Sequence, residues 1–211
     1  MLTELIGPLT LPNAPTPWAI GLALTGVGIL IVPLLRVRWL LGTLLIAILA
    51  IEHRSTPSLN HFRLTVVDVG QGLGIVVETA GKVLVYDTGP AYGRFSAGAD
   101  IIAPLLRARG IKTIDRLILS YGDADHTAGW FGLVAALPVQ EIWVNPGRNL
   151  DVPTTTCRAG QHWTWYGVDF AMISPPTVGT SSKNDLSCVL KISAPGGSVL
   201  LPGDIEGRSE A

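Results

Sequence analysis

Residues 117–130 read LILSYGDADHTAGW. The apolar run Leu117-Ile118-Leu119 has the length and residue types of a buried strand. It breaks into a turn that carries Asp123, Asp125 and His126, and a new apolar segment opens at Trp130. Taken alone, this is a polar turn capping the next helix, since Asp is a favoured N-cap residue. The same design recurs elsewhere. Asp68 follows Thr65-Val66-Val67 and precedes Gly70-Gln71-Gly72; Asp87 closes Val83–Tyr86 ahead of Thr88-Gly89; Asp204 follows Val199-Leu200-Leu201-Pro202-Gly203. Each by itself is a strand-end turn. Together they place acidic groups at the ends of four apolar strands, along one edge of a layered domain. Carboxylates that close cannot all stay ionised without a cation, so the pattern points to a metal site.

Working outward, Phe62–Val69, Gly74–Glu78 and Val83–Tyr86 read as consecutive strands, short, β-branched and bounded by Gly or polar turns. Ala99–Arg109 carries Ile101, Ile102, Leu105 and Leu106 at helical spacing and ends at Gly110, a C-cap residue. Arg116–Leu119 is a buried strand, and Ala128–Leu137 a helix opened at or just before Thr127. Glu141–Val144, Val168–Ile173, Ser187–Ile192 and Ser198–Leu201 supply further strands. Strands in runs with helices between them predict α/β layers.

The front of the chain is different. Of the 15 basic and 16 acidic residues, only Glu4, Arg36 and Arg38 fall in the first 51 positions. Ala19–Leu35 and Trp39–Ile51 are uncharged, and mean hydropathy over the chain is +0.43. These runs are expected to form two transmembrane helices within residues 1–54; a pair of buried core helices is the alternative. A signal peptide fits poorly, because no basic n-region precedes the first run and no small-residue cleavage site follows it. Arg36 and Arg38 lie between the runs, which puts them in the cytoplasm and both the N-terminus and the rear domain outside it. Residues 55–61 complete a polar linker containing Pro57, and the domain occupies 62–211. The net charge of −1 gives the whole chain no signature of a nucleic-acid binder. The two cysteines, Cys157 and Cys188, exclude a Cys-rich zinc module. In an extracytoplasmic domain they either pair or stand as unrelated buried thiols.

The segments DVGQGLGIVVET, VLVYDTGP, IIAPLLRARGIKTIDRLILSYGDADHTAGW, NDLSCVLKI and VLLPGDIE follow one another from about Arg63 to Glu206. In that order they resemble the metallo-β-lactamase-fold domain of the DNA-internalisation competence proteins (the ComEC family). The resemblance implies an αββα sandwich and a metal-dependent hydrolase that degrades the non-transported DNA strand during uptake for natural transformation. It implies Asp123, Asp125, His126 and Asp204 as metal ligands, with Asp125 and Asp123 catalytic. Asp87, Asp68, Tyr121 and Asn184 are the supporting shell. The implied partners are single-stranded DNA, membrane lipids and other competence-machinery proteins. The implied setting is the inner or plasma membrane, multi-pass, with the domain on the extracytoplasmic side.

Two departures from the family pattern carry expectations. Tyr121 stands where the signature begins with His, and a phenol of pKa about 10 is a poor substitute for imidazole. The chain also reaches Ala211 soon after GDIE, where the family continues to a His-His-Gly-Ser segment, so a truncated, incomplete sandwich is expected. Three carboxylates and one imidazole favour Mn²⁺ or Mg²⁺, with Zn²⁺ possible as the third choice. One site of Asp125, His126 and Asp204 is expected to survive, and one needing position 121 and Asp123 to be weak. Two function classes follow. One is a metal-dependent DNA phosphodiesterase; the other is a non-catalytic membrane component with a degenerate site. A small-ester hydrolase fits the fold but not the DVGQG opening. His53, His61 and His162 read as surface or packing residues. Trp163, Trp165 and Tyr166 read as a hairpin face rather than a base-stacking surface. Arg109, Lys112 and Arg116 read as a solvated face rather than a phosphate track.

Overall fold

A computed structural model describes residues 17–31, 38–47, 56–175 and 186–204. The chain divides into two compact units, residues 1–55 with 108–110, and the remainder.

In the first unit the two apolar runs form helices α1 (Pro17–Ile31) and α2 (Arg38–Ala47). They pack on each other, and a Cβ at Gly42 would meet the Leu30 side chain and the Gly26 carbonyl. Thr25 and Thr43 return their hydroxyls to the Gly21 and Trp39 carbonyls one turn back, so neither leaves a polar group seeking a partner. The helices contain 15 and 10 residues. At 1.5 Å per residue they reach about 22 and 15 Å, against a hydrocarbon thickness of about 30 Å. Among the described residues no helix is long and apolar enough to cross a membrane. The described helices therefore do not bear out the expected transmembrane pair. Residues 32–37 and 48–55, which would have to lengthen them, lie outside the described residues.

The second unit is a layered α/β domain. Its larger sheet contains β1 (Arg63–Val66), β2 (Gly74–Glu78), β3 (Val83–Thr88), β6 (Ile114–Leu119), β7 (Val139–Val144) and β8 (Thr155–Thr156), in the order β1-β2-β3-β6-β7-β8. The first three strands are antiparallel, and β3, β6, β7 and β8 run parallel. The smaller sheet is antiparallel, formed by β9 (His162–Trp165), β10 (Val168–Ser174), β11 (Val189–Ala194) and β12 (Gly197–Leu201), in the order β12-β11-β10-β9. Between β3 and β6 the chain makes a short hairpin, β4 (Ala91–Tyr92) and β5 (Phe95–Ser96). A wide turn at Gly98–Ile102 then runs into α3 (Ala103–Ala108). Gly110, at φ 70°, ends α3, and the Ile111 N–H returns to the Leu106 carbonyl, the αL stop that the sequence predicts. The predicted helix at 128–137 is present as α5 (Trp130–Ala136), and a separate short helix, α4 (Ala124–Thr127), precedes it in the acidic turn.

Alternation along the strands makes the layers. Ile75, Val77, Leu84, Tyr86 and Ile118 point into the space between the sheets and meet Val168, Phe170, Met172, Leu190 and Ile192. The residues between them, Val76, Val83, Val85, Leu117 and Leu119, point the other way and meet Ile102, Leu106 and Leu133. The larger sheet is thus covered on both faces, which is why its central strands read as continuous apolar runs. The metallo-β-lactamase-like α/β layering is present as α-β-β. Among the described residues no helix covers the outer face of the smaller sheet, where Ile173 and Leu200 are exposed.

Two expectations are refined. Trp163 and Trp165 of the aromatic hairpin face inward, Trp163 stacking on Phe170 with ring centroids 5.1 Å apart, whereas Tyr166 is exposed at the turn. Arg116, however, is not on a solvated face. It is 8% exposed, and its guanidinium lies 4.1 and 4.0 Å from the Trp143 and Trp163 rings while donating two bonds to Glu141. Gly110 breaks the helical spacing, so Arg116 belongs to β6 and its side chain points between the layers. Cys157, after β8, and Cys188, before β11, form a disulfide that ties the two sheets together.

Candidate functional site

The carboxyl ends of β3, β6 and β7, the start of β11 and the turn after β12 meet along one edge of the domain. In open α/β sheets ligands bind outside the carboxyl ends of the parallel strands.

Asp87 is the hub. It is fully buried at the end of β3 with φ 57°, a left-handed conformation uncommon for a residue with a side chain. One carboxylate oxygen accepts the Ser120 N–H at 2.7 Å. The other accepts the Ser120 hydroxyl at 2.5 Å and faces the His126 Nδ1 at 3.0 Å. An ionised Asp87 only accepts, so Nδ1 carries the proton, and the neutral form of the imidazole keeps its lone pair on Nε2. A metal-ligating imidazole is held in this way. Burial pushes the Asp87 carboxyl up, while the His126 and Ser120 bonds pull against that. The bond to Asp87 raises the His126 pKa against desolvation, helped by the charges of Asp87, Asp125 and Asp204. The fields of Asp125 and Asp204 therefore reach the imidazole.

Asp123 sits at the N-cap position of α4, but its side chain makes no cap bond. Its backbone carbonyl takes the His126 and Thr127 N–H groups instead. The capping reading of this turn therefore does not hold for the carboxylate, which stays free and exposed. Asp125 is half-buried, and its carbonyl accepts the Leu73 N–H at 3.3 Å. A Cβ at Gly72, whose φ is 136°, would overlap that carbonyl. The Gly70-Gln71-Gly72 loop therefore packs directly on the acidic turn, and glycine is what permits it. Asp68 bonds within its own loop, accepting the Gly70 N–H. Tyr121 is buried, its backbone carbonyl turned to Arg148. Asp204 follows Gly203, where a Cβ would stand 3.0 Å from the Ser120 hydroxyl. Asn184 lies outside the described residues.

Several positioning residues carry no signal of their own in the sequence. Ser120 reads only as the last residue of a strand. Tyr86 reads as core, yet its buried hydroxyl donates to the Cys188 carbonyl at 2.7 Å and lies 3.1 Å from that of Leu201. It thereby ties together the start of β11 and the end of β12, next to Asp204. Arg148 follows the turn Asn145-Pro146-Gly147 after β7. Its Nη1 donates to the Thr127 hydroxyl at 2.8 Å and the Tyr121 carbonyl at 3.3 Å, bracing both ends of the acidic turn.

The donor chemistry fits a divalent cation, with a tied imidazole and carboxylates of Asp123, Asp125 and Asp204 along one edge. Among the described residues, no three His, Cys, Asp or Glu side chains are gathered closely enough to enclose an ion together.

The comparisons with known proteins agree with this fold. The pattern of the metallo-beta-lactamase superfamily matches residues 67–211, and the chain belongs to that superfamily. Within it, the chain is similar to competence proteins. It is 35% identical over 164 residues to Recombination protein 2 of Haemophilus influenzae, covering 77% of this chain and 20% of that protein. It is 36% identical over 151 residues to Competence protein ComA of Neisseria gonorrhoeae, covering 72% and 21%. It is 32% identical over 154 residues to protein YcaI of Escherichia coli, covering 73% and 20%. The chain thus spans about a fifth of the length of the curated relatives it matches. Membership of the superfamily implies use of a divalent metal.

Proposed function

We propose that this domain is a metal-dependent phosphodiesterase that cuts DNA during its uptake. The observation that carries the reading is the Asp87–His126 pair, an imidazole held at Nδ1 by a buried carboxylate and lying in the field of Asp125 and Asp204. Similarity to competence proteins supports DNA as the substrate. Asp125, His126 and Asp204 would hold the ion, with Asp123 at its side, and the oxygen-rich set favours Mn²⁺ or Mg²⁺ over Zn²⁺. When bound, such an ion supplies Lewis acidity toward a phosphodiester oxygen and lowers the pKa of water. Around it, Ser120 holds Asp87, Asp87 keeps the proton on Nδ1 of His126, and Arg148 keeps the acidic turn closed.

We place the domain on the extracytoplasmic side of a membrane, together with other uptake proteins. The Cys157–Cys188 disulfide supports an oxidising compartment. Leu24, Ile31, Trp39 and Leu44 are exposed on α1 and α2, which supports lipid contact by that hairpin.

A second reading, a non-catalytic component with a degenerate site, is favoured by the buried Tyr121 at the signature's first position. One experiment separates the two. The full chain in detergent should cleave DNA with Mn²⁺, and Asp125→Ala and Asp204→Ala should each abolish cleavage. Tyr121→His should raise it. Cleavage at a rate indifferent to Asp125→Ala and Asp204→Ala would show the site to be wrong; no cleavage, even with Tyr121→His, favours the second reading.

A further inference from the structure

Two aromatic pairs stand beside the candidate site, and each has one ring anchored and one ring projecting. In the β4–β5 hairpin, Tyr92 lies against Phe95 with centroids 4.9 Å apart. Phe95 is packed on the helix-side core, while Tyr92 is 68% exposed. At the start of α5, Trp130 meets Phe131 edge-on at 5.8 Å. Trp130 is packed on the same core, and Phe131 is 70% exposed. The two pairs belong to one surface. The Ser96 hydroxyl at the end of the hairpin donates to the Gly129 carbonyl, and a Cβ at Gly132 would run into the Ser96 side chain.

The same surface starts at the metal edge. Gly89, the second residue after Asp87, donates its N–H to the carbonyls of Leu73 and His126, and its own carbonyl accepts the Gly129 N–H. Ala91 begins the hairpin two residues later, so Tyr92 stands within about 10 Å of Gly89 at roughly 3.3 Å per residue. Between the paired rings of Tyr92 and Phe95, the hairpin turn is Gly93-Arg94, and Arg94 is exposed. Large exposed rings rooted in a core, a cation at the turn between them, and a phosphodiesterase edge alongside are the components of a stacking platform for bases with a contact for the backbone.

We infer that Tyr92, Phe131 and Arg94 form a binding platform for single-stranded DNA that leads the strand into the acidic edge. The inference rests on the phosphodiesterase reading and deepens it by naming the residues that would meet the strand. A single strand offers its base faces to Tyr92 and Phe131, whereas a duplex keeps its bases stacked on one another. Arg94 meets the phosphates. The inward-facing Trp163 and Trp165 take no part.

The test is binding of a fluorescent oligothymidylate of about 16 nucleotides to the full chain in detergent, read by anisotropy in EDTA so that cleavage plays no role. Tyr92→Ala and Phe131→Ala should each weaken binding about tenfold, and Tyr92→Phe should retain it, because the ring rather than the hydroxyl stacks. Arg94→Ala should reduce the slope of log affinity against log salt by about 0.7. Leu200→Ala, on the outer face of the smaller sheet, should bind like the unaltered chain. Tyr92→Ala and Phe131→Ala chains that melt normally and bind normally would overturn the platform, as would a duplex bound as well as the single strand. Cleavage with Mn²⁺ is read separately. Normal binding by the ring variants with Asp125-dependent cleavage removes the platform and leaves the nuclease. Weakened binding in an unaltered chain background that never cleaves keeps the platform and removes the nuclease.

Discussion

Asp87 and Arg116 are both charged side chains drawn into the interior of the larger sheet, from the neighbouring strands β3 and β6, and they are kept there by opposite means. Arg116 is enclosed. Its guanidinium lies between the Trp143 and Trp163 rings and is paired with Glu141 through Nε and Nη2, while its buried Nη1 faces the cage without a hydrogen-bond partner among the described residues. Asp87 is enclosed by Ser120 on one side, but on the other it is bonded to the His126 imidazole, which lies in the field of Asp125 and Asp204. A buried charge that ends on another side chain and an aromatic cage holds the layers together. A buried charge that ends on a histidine in an acidic field holds a site in readiness. The backbone agrees with the distinction, since Asp87 alone of the two adopts a left-handed conformation, and strain of that kind concentrates at functional positions.

The comparison breaks if Arg116 proves to affect the site. Arg116→Ala should lower unfolding stability by about 3 kcal/mol, through lost cation–π and packing contacts and a severed ion pair. It should leave Mn²⁺ affinity, measured calorimetrically on the folded chain, unchanged. A large loss of affinity at matched folding would show that the two charges are not separate in role.

The converse substitution sharpens it. Asp87→Asn keeps the left-handed backbone, which Asn tolerates, and can still accept the Ser120 N–H. Its amide would then donate toward His126 Nδ1, moving the imidazole proton to Nε2 and removing the lone pair a metal needs. Mn²⁺ affinity should fall about 10- to 100-fold, while the melting temperature in EDTA moves much less than for Arg116→Ala. Equal loss of stability in the two variants would reduce Asp87 to a structural residue.

The smallest effect concerns pH. Burial pushes the Glu141 carboxyl up, but its bonds with Arg116 outweigh that and leave it below the ordinary glutamate range. A depressed carboxyl contributes stability above its unfolded pKa and loses it as pH falls through the folded value. Stability should therefore decline below about pH 4.5 by less than about 1 kcal/mol from this group, because Glu141 is half exposed. Glu141→Gln should remove that part of the acid dependence, as followed by urea denaturation across the acid range.

The sequence by itself determined the longer strands, the order of the acidic turns and the superfamily, but not the two-residue strands β4, β5 and β8. Those features depend on neighbours one to four residues apart: the β-branched run of Gly74–Glu78, the αL stop at Gly110, the turn that breaks Leu117–Leu119. It also marked Asp123, Asp125, His126 and Asp204 by type and order. Tertiary structure alone decided what each of them does. Asp87 meets Ser120 and His126 across separations of 33 and 39 residues, and only the pairing of β3 with β6 brings them together. The same long-range packing turned Arg116 from an exposed-looking cation into a caged one and paired Cys157 with Cys188. It also gave Ser120, Tyr86 and Arg148 positioning roles that no local pattern announces. The two aromatic clusters divided in the same way. Trp163, Trp165 and Tyr166 read from the sequence as a hairpin face; the two tryptophans lie there, and Tyr166 turns outward. Tyr92 and Phe131 stand outside any period, and their exposure follows from Phe95 and Trp130 taking the space beneath them. Local pattern reports which way a residue tends to face, whereas the partner it meets is fixed by which elements the fold makes neighbours.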